Sequence, residues 1–368
     1  MRKRVLDSVC LAVLCTILTL GLWPFHTPPN DVTWLQDRNG LRFGEYGVVI
    51  SSATSAMPHA AAEAQAGSIE IWVQPARMWD SGTFLAFYVP ENLYRFSLRQ
   101  SQTDLRLQGE DDREPATTSS IYVDDVFQGK GPTFLTVTSG AGGVAVYVDG
   151  ILANRPERLR LPVNSFAGRI VLGGSPGQED GWKGRLLGFA IYQRALTPPQ
   201  VERHSQSWKA TGSPEIAAED GPSAIYLFDE HAGSVIHSRA ETGTDLSIPG
   251  KFVVPDQIFL EPFWREFSMS RDYWSAALKN VVGFVPLGLS FYASLSVVRR
   301  VKRAALLTIL LGTLVSITIE VLQADLPTRD SGMTDIFTNT LGTWAGVVLF
   351  RNWLVQAIFQ KALRLLPG

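Results

Sequence analysis

Cysteine is almost missing from this chain. Only Cys10 and Cys15 are present among 368 residues, and both fall inside one apolar run. Everything after Cys15 is therefore without a disulfide, and no zinc site can be built there from thiolates. Histidine is scarce too: His26, His59, His204, His231 and His237 are scattered with no ligand-like spacing. An excess of either charge is also lacking, since 33 Lys and Arg against 35 Asp and Glu leave a net −2. Without a basic excess there is no electrostatic footprint for nucleic acid, which is not an expected partner. Finally, residues 26–274 contain no apolar run long enough to cross a bilayer.

Such runs do occur on either side. Val5–Leu22, Val281–Val298, Ala304–Leu322 and Ile336–Phe350 each come close to the roughly 20 residues that a spanning helix needs. The expected plan is an N-terminal transmembrane helix (1–25), a large polar block (31–260), and a membrane domain of three helices (275–350). An amphipathic helix follows at 353–366, where Gln356, Gln360, Lys361 and Arg364 alternate with Leu354, Ile358, Phe359, Leu363 and Leu365. Arg2, Lys3 and Arg4, then Arg299, Arg300, Lys302 and Arg303, then Arg351 all fall on one side if there are four spans. The positive-inside rule then puts both termini in the cytoplasm and the polar block outside. A cleaved signal peptide shares the basic-then-apolar pattern. However, Leu22-Trp23-Pro24-Phe25 offers no small-residue cleavage site, so a retained anchor is expected.

The polar block reads as all-β. Ser68–Gln74, Thr133–Thr138, Gly143–Val148, Arg169–Leu172, Leu186–Tyr192 and Ala224–Phe228 are β-branched or aromatic runs bounded by Gly, Pro or Asp. Asp149-Gly150 between two such runs is the preferred loop of a two-residue hairpin, which makes Asp149 a turn residue before it is a metal ligand. One short helix is expected at Pro198–Trp208, capped by Thr197. Met57–Ala66 is Ala-rich and reads as a surface loop or short helix.

The order Ile-Glu-Ile-Trp-Val-Gln-Pro, Val-Tyr-Val-Asp-Gly, Gly173-Gly174, Gly181-Trp182-Lys-Gly184 and Phe189-Ala-Ile-Tyr192 resembles the LamG-type, concanavalin-like jelly roll. The resemblance runs from Ser68 to Trp208, with Gly40–Ser51 and Ala224–Ile248 expected to complete two sheets. It implies binding of a glycan, a protein or rim calcium, or hydrolysis of polysaccharide. Calcium on the jelly-roll rim is thus left open, and no other cofactor is expected. Retaining hydrolysis in similar folds uses an E-x-D-x-E strand. Glu110-Asp111-Asp112-Arg113-Glu114 matches that string, but its intervening residues are polar and Pro115 follows, so a solvated loop is expected. Trp34, Trp79, Tyr88, Tyr94 and Tyr122 are candidates for stacking on sugars, whereas Trp72 and Trp182 read as core.

The membrane region carries polar side chains in apolar surroundings, where they are rare and usually functional. Counted from Ala304 at about 1.5 Å per residue, Glu320 lies roughly 24 Å across the bilayer, near its outer face. Gln323 shares its helix face, Asp335 opens the next helix with Asn339 one turn deeper, and Asn280 stands at the outer end of the second helix. Gly312, Ser316 and Glu320 form a stripe at intervals of four, Gly342 and Gly346 form G-x-x-x-G, and Gly283, Pro286 and Gly288 loosen the second helix. Small residues so placed permit close packing in lipid. Two readings stay open: Glu320, Arg329, Asp335 and Asn339 lock the helices together, or they form a site.

Asn280-Val-Val-Gly-Phe-Val-Pro-Leu-Gly288, Glu320-x-x-Gln323, Arg329, Asp335 and Asn339-Thr-x-Gly342 resemble the VanZ family, named for a membrane protein associated with teicoplanin resistance. The resemblance implies a multi-pass protein of the bacterial cytoplasmic membrane, with the jelly roll inserted after the first helix. The fold class expected is therefore an all-β jelly-roll sandwich inserted into an α-helical membrane domain of about four helices. Its expected partners are the lipid bilayer and a cell-envelope glycan or peptidoglycan-related component, bound without hydrolysis. The polar cluster is Asn280, Glu320, Gln323, Arg329, Asp335 and Asn339. The alternative is an intramembrane enzyme or lipid-linked-substrate handler with Glu320 as base, Asp335 beside it and Arg329 holding a phosphate or carboxylate. Transport fits less well, because a few short helices without an internal repeat leave little room for a gated path.

Overall fold

The computed structural model describes residues 2–51, 66–111, 114–156, 159–162, 164–212, 221–267, 269, 271–353, 355–357, 359 and 361. The Ala-rich stretch is thus outside the described residues except for Ala66. The chain divides into a helical unit, Met1–Thr27 with Gln257–Gly368, and a sandwich unit, Pro28–Asp256.

In chain order, α1 (Arg2–Leu22) precedes β1 (Val32–Trp34), β2 (Leu41–Phe43), β3 (Val49–Ser51), β4 (Gly67–Pro75) and β5 (Ser81–Val89). Next come β6 (Asn92–Ser101), β7 (Asp104–Asp111), β8 (Glu114–Val123), β9 (Thr133–Gly140), β10 (Gly143–Val148) and β11 (Ile151–Asn154). The sandwich closes with β12 (Arg169–Leu172), β13 (Gly184–Tyr192), α2 (Pro198–Thr211), β14 (Ala224–Tyr226), β15 (Val235–Ile236) and β16 (Leu246–Ser247). One antiparallel sheet has the order β1-β2-β13-β4-β9-β10-β11, with β14 also on β13, and the other runs β15-β16-β3-β12-β5-β6-β7-β8. The strands expected from sequence are all present, including the flanking ones that complete the two sheets.

In the meander β5 to β8, β5 is almost wholly buried and β6 alternates. Phe96, Leu98 and Gln100 are fully buried while Arg95, Ser97 and Arg99 point the other way, as in an antiparallel sheet with one polar face. Asp149 and Gly150, at φ 56° and 87°, join β10 to β11 in two residues, the geometry for which that dipeptide is suited. Between the sheets lie Phe43, Phe84, Phe87, Phe96, Phe189 and Trp182, whose indole donates to Gln100 Oε1 at 2.9 Å. Trp182 is core as expected; Trp72 is half-buried beside a second cluster under α2.

That second cluster explains why α2 docks. Gln200 Oε1 accepts the Thr197 N–H at 2.8 Å at the helix start, and Val201, His204 and Trp208 face the sheet. Beneath them Glu70 of β4 is completely buried. It accepts from the Tyr192 hydroxyl at 2.8 Å and from Trp208 Nε1 at 3.4 Å, with His204 Nδ1 2.9 Å away. A carboxylate so enclosed is tolerable only while its partners remain.

In the helical unit, α1 is joined by α3 (Phe263–Glu266), α4 (Arg271–Ala293) with a π turn at Ser294–Val298, α5 (Ala304–Gln323) and α6 (Met333–Arg351). Its helices are inside-out relative to those of water-soluble proteins. The buried residues of α5 are Ala304, Thr308, Gly312, Ser316, Ile319, Glu320 and Gln323, while Leu306, Leu310, Leu314, Ile317 and Val321 are exposed. On α6, Asn339, Gly342, Thr343 and Gly346 are buried and Phe337, Leu341, Trp344 and Val348 exposed. Only a surrounding hydrocarbon makes such a surface stable. Among the described residues three helices, Lys3–Leu22, Tyr273–Val298 and Ala304–Gln323, are long and apolar enough to cross a membrane. Although α6 was expected as a fourth span, its polar first turns and four threonines set it apart in composition. A Cβ at Gly342 or Gly346 would run into the Val281 or Val285 carbonyl, so these glycines let α6 lie directly on α4. The described part of 353–361 is helical, and the rest of the expected amphipathic helix lies outside the described residues.

Glu70→Ala leaves His204, Tyr192 and Trp208 without their common acceptor. It is expected to destabilise the sandwich by about 3–5 kcal/mol, read as a lower urea midpoint of tryptophan fluorescence in purified residues 28–256.

Candidate functional site

The first turn of α6 is the electrostatic centre of the helical unit. A helix start leaves backbone N–H groups without intrahelical partners, and here three successive ones are taken by groups from elsewhere. The Gly332 N–H donates to Glu320 Oε2 at 2.9 Å, the Met333 N–H to the Glu261 carbonyl at 3.0 Å, and the Thr334 N–H to Glu266 Oε2 at 2.8 Å. Glu266 also accepts from the Thr334 hydroxyl. Two carboxylates thus sit at the positive end of the α6 dipole, with Asp335 within electrostatic range of both. Ser331 ties the loop down: its hydroxyl donates to the Glu320 carbonyl at 3.2 Å and its own carbonyl accepts the Glu261 N–H at 2.9 Å.

The residues singled out from sequence separate into two groups. Asn280 donates to Asp335 Oδ1 at 2.7 Å, and Asn339 donates to Ser316 Oγ at 3.0 Å, so α4, α5 and α6 are linked as anticipated. Asn280 does not stand at the end of its helix, however. The helix α4 begins at Arg271, because its polar first turns stay helical beyond the apolar run. Gln323 and Arg329 turn toward α1: Gln323 donates to the Gly21 carbonyl at 2.8 Å and Arg329 to the Trp23 carbonyl. Arg329 is therefore not the counter-ion of Glu320 or Asp335, and the simple picture of those charges pairing is corrected. Gln323 Oε1, Asn339 Oδ1 and Arg329 Nε are buried with no hydrogen-bond partner. Glu266 and the Glu261 carbonyl escaped sequence reasoning, since their segment mixes aromatic and charged residues without a helix or strand period.

In the sandwich, the polar face of β5 to β8 carries cross-strand rows. Thr83, Arg99, Arg106 and Tyr122 lie directly opposite one another, and beside them lie Ser97, Gln108 and Ser120. Asp180 accepts from Thr83 at 2.5 Å and pairs with Arg99. The Arg106 guanidinium lies 5.9 Å from the centre of the Tyr122 ring, which is 47% exposed. Burial pulls the Arg95 guanidinium below its usual range, opposed by Glu110 and Glu91. Trp79 is exposed, but Tyr88 is buried and unavailable for stacking, because the outer side of its strand is covered by Phe252 and its neighbours. Glu110 and Asp111 end β7 and Glu114 opens β8 opposite Asp111, so the acidic string is split across a hairpin rather than forming one inward strand; residues 112 and 113 lie outside the described residues.

An inside-out helical unit interrupted by an antiparallel two-sheet sandwich defines a membrane protein carrying an inserted jelly roll. Residues 227–356 match the VanZ/LLP1 family and residues 50–202 match the Laminin_G_3 family of the concanavalin A-like lectin/glucanase superfamily. The chain thus carries a VanZ-like region and a LamG-type region. No curated protein sequence matches it. Among solved structures it is similar to the receptor binding domain of botulinum neurotoxin mosaic serotype C/D, with 13% identity and a TM-score of 0.40 over 56% of this chain and 59% of that one. Another crystal structure of that serotype's receptor binding domain gives 14% and 0.37, over 48% of this chain and 44% of that one. A candidate carbohydrate-binding protein from Bacteroides ovatus ATCC 8483 gives 11% and 0.39 over 62% of each chain. The chain therefore spans less than two thirds of each of these proteins.

Glu320→Gln keeps an oxygen for the Gly332 N–H and is expected to leave stability nearly unchanged. Glu320→Ala strands that buried donor and should cost about 1–3 kcal/mol, read as a lower melting temperature of the full chain in detergent.

Proposed function

We propose that this is a multi-pass protein of the bacterial cytoplasmic membrane whose jelly roll, on the extracytoplasmic side, binds a cell-envelope glycan or a peptidoglycan-related component. Both termini are cytoplasmic in this reading, in keeping with the placement of the basic clusters. The observation that carries it is a concanavalin-type sandwich tethered through both of its chain ends to apolar helices. Its polar β5–β8 face supplies the chemistry: an exposed ring at Tyr122 beside Arg106, with Gln108, Ser97 and Ser120 as hydroxyl and amide partners for a sugar. The split acidic string supports binding rather than hydrolysis. A link to teicoplanin resistance or to envelope polysaccharide handling belongs to the same proposal. Purified full chain on a broad polysaccharide array should show binding that Tyr122→Ala weakens about tenfold; no ligand across such panels overturns the reading.

A second reading rests on the orphaned polar atoms of the membrane cluster. A clamp that only held helices together would have its donors and acceptors filled, whereas Gln323, Arg329 and Asn339 each retain an unused buried atom. The cluster would then handle a lipid-linked substrate, with Glu320 and Asp335 as its acidic groups and Arg329 as its anion contact. Glu320→Gln and Asp335→Asn variants that fold normally but lose the envelope phenotype of the wild-type gene in a deletion strain favour this site. Complementation by both variants removes it.

A further inference from the structure

Exposed aromatic side chains gather at one end of the helical unit. Gln323 on Gly21 and Asn280 on Asp335 identify that end as the meeting point of the end of α1, the end of α5 and the start of α6. Trp23 and Phe25 follow α1 and are 60% and 55% exposed. Between the sandwich and α4, Phe259, Phe263, Trp264, Phe267 and Met269 are all about half exposed or more, with Trp264 at 64% and Met269 at 80%. Trp274, in the first turn of α4, is 52% exposed. The rings touch edge to face along the segment, Phe263 on Trp264 and Phe337, and Phe267 on Tyr273 and Trp274.

The opposite end differs in kind. There Arg299 pairs with Asp7, and Arg300, Lys302, Arg303 and Arg351 crowd the same boundary, with Trp353 as its exposed aromatic. Apolar area of this size facing water would be costly at about 25 cal/mol per Å². Rings with one apolar body and one polar edge are instead suited to the headgroup level of a bilayer.

We infer that Phe259–Phe267, with Met269 and Trp274, forms a hook embedded in the headgroup zone of the outer leaflet, with Phe263, Trp264 and Phe267 as its lipid contacts. The occupant of this surface is phospholipid. Two observations identify it: the patch is continuous with the lipid-facing flanks of α4 and α6, through Trp274 and Phe337, and it lies at the end away from the basic clusters. The hook is not a loose anchor. Glu266, at the end of α3, caps the Thr334 N–H of α6, and the Glu261 carbonyl caps Met333. The same segment therefore meets lipid on one side and holds the α6 terminus on the other. The polar cluster then sits at headgroup depth, within reach of a compound carried in the leaflet.

The inference rests on the membrane reading, and one experiment separates the two. The full chain is reconstituted in phosphatidylcholine vesicles containing lipid brominated near the headgroup or deep in the acyl chain, and aqueous iodide is added separately. The contribution of one tryptophan is taken as the difference between the wild-type chain and its Trp→Phe variant. Trp264→Phe should remove a component quenched by shallow bromines and untouched by iodide. Trp344→Phe, a lipid-facing position within α6, should remove a component quenched by deep bromines. A Trp264 component quenched by iodide alone, or by neither quencher, overturns the hook while the Trp344 result upholds the membrane reading. Absence of bromine quenching at both positions overturns both.

Discussion

Everything in the helical unit is organised around the first turn of α6. In apolar surroundings an unpaired N–H has no water to fall back on, so the start of α6 must be supplied with acceptors by the protein itself. This chain supplies three, from two segments: Glu320 at the end of α5, and the Glu261 carbonyl and Glu266 from the stretch around α3. Each segment is thereby fixed against the start of α6. Two carboxylates beside Asp335 would repel one another in isolation; the dipole of α6 and the amide donors are what make their proximity tolerable.

The rest of the bundle follows from the same scarcity of polar partners. Because lipid tails are as apolar as leucine, α5 and α6 gain little by burying leucines and instead bury Gly, Ser, Thr and Asn. The close approach of α6 to α4 at Gly342 and Gly346 and the hydrogen bond from Asn339 of α6 to Ser316 of α5 are two expressions of that preference. The sandwich unit solves the opposite problem in water, with its rings inside and its charges outside. Its exception is Glu70, kept buried because Tyr192, Trp208 and His204 surround it and so attach α2 to the sheet.

A large part of this could be read directly from the chain. Strands such as Ile69–Val73 and Phe189–Tyr192 are dense in β-branched and aromatic residues, and Asp149-Gly150 states its own turn. The membrane helices announce themselves by length and composition. The strands β5 to β8 were not legible, because β6 to β8 are about half polar and the ladders of β5 with β6 and of β7 with β8 are interrupted by bulges. Polar residues of the cluster were recognisable one by one, since a Glu, a Gln and an Asn within apolar runs stand out. Glu266 did not stand out, because it lies among mixed aromatic and charged residues rather than within an apolar run.

The sequence by itself therefore determined the two solvents of this protein, the order of its units and the identity of its exceptional polar residues, since hydrophobic periodicity and composition act locally along the chain. Only the tertiary structure decided which partner each exceptional residue takes. Arg329 reaches the Trp23 carbonyl 306 positions away rather than a nearby carboxylate, and Glu320 serves a backbone N–H rather than a cation. Hydrogen-bond partnership depends on distances between segments far apart in the chain, and no local pattern of residues contains those distances.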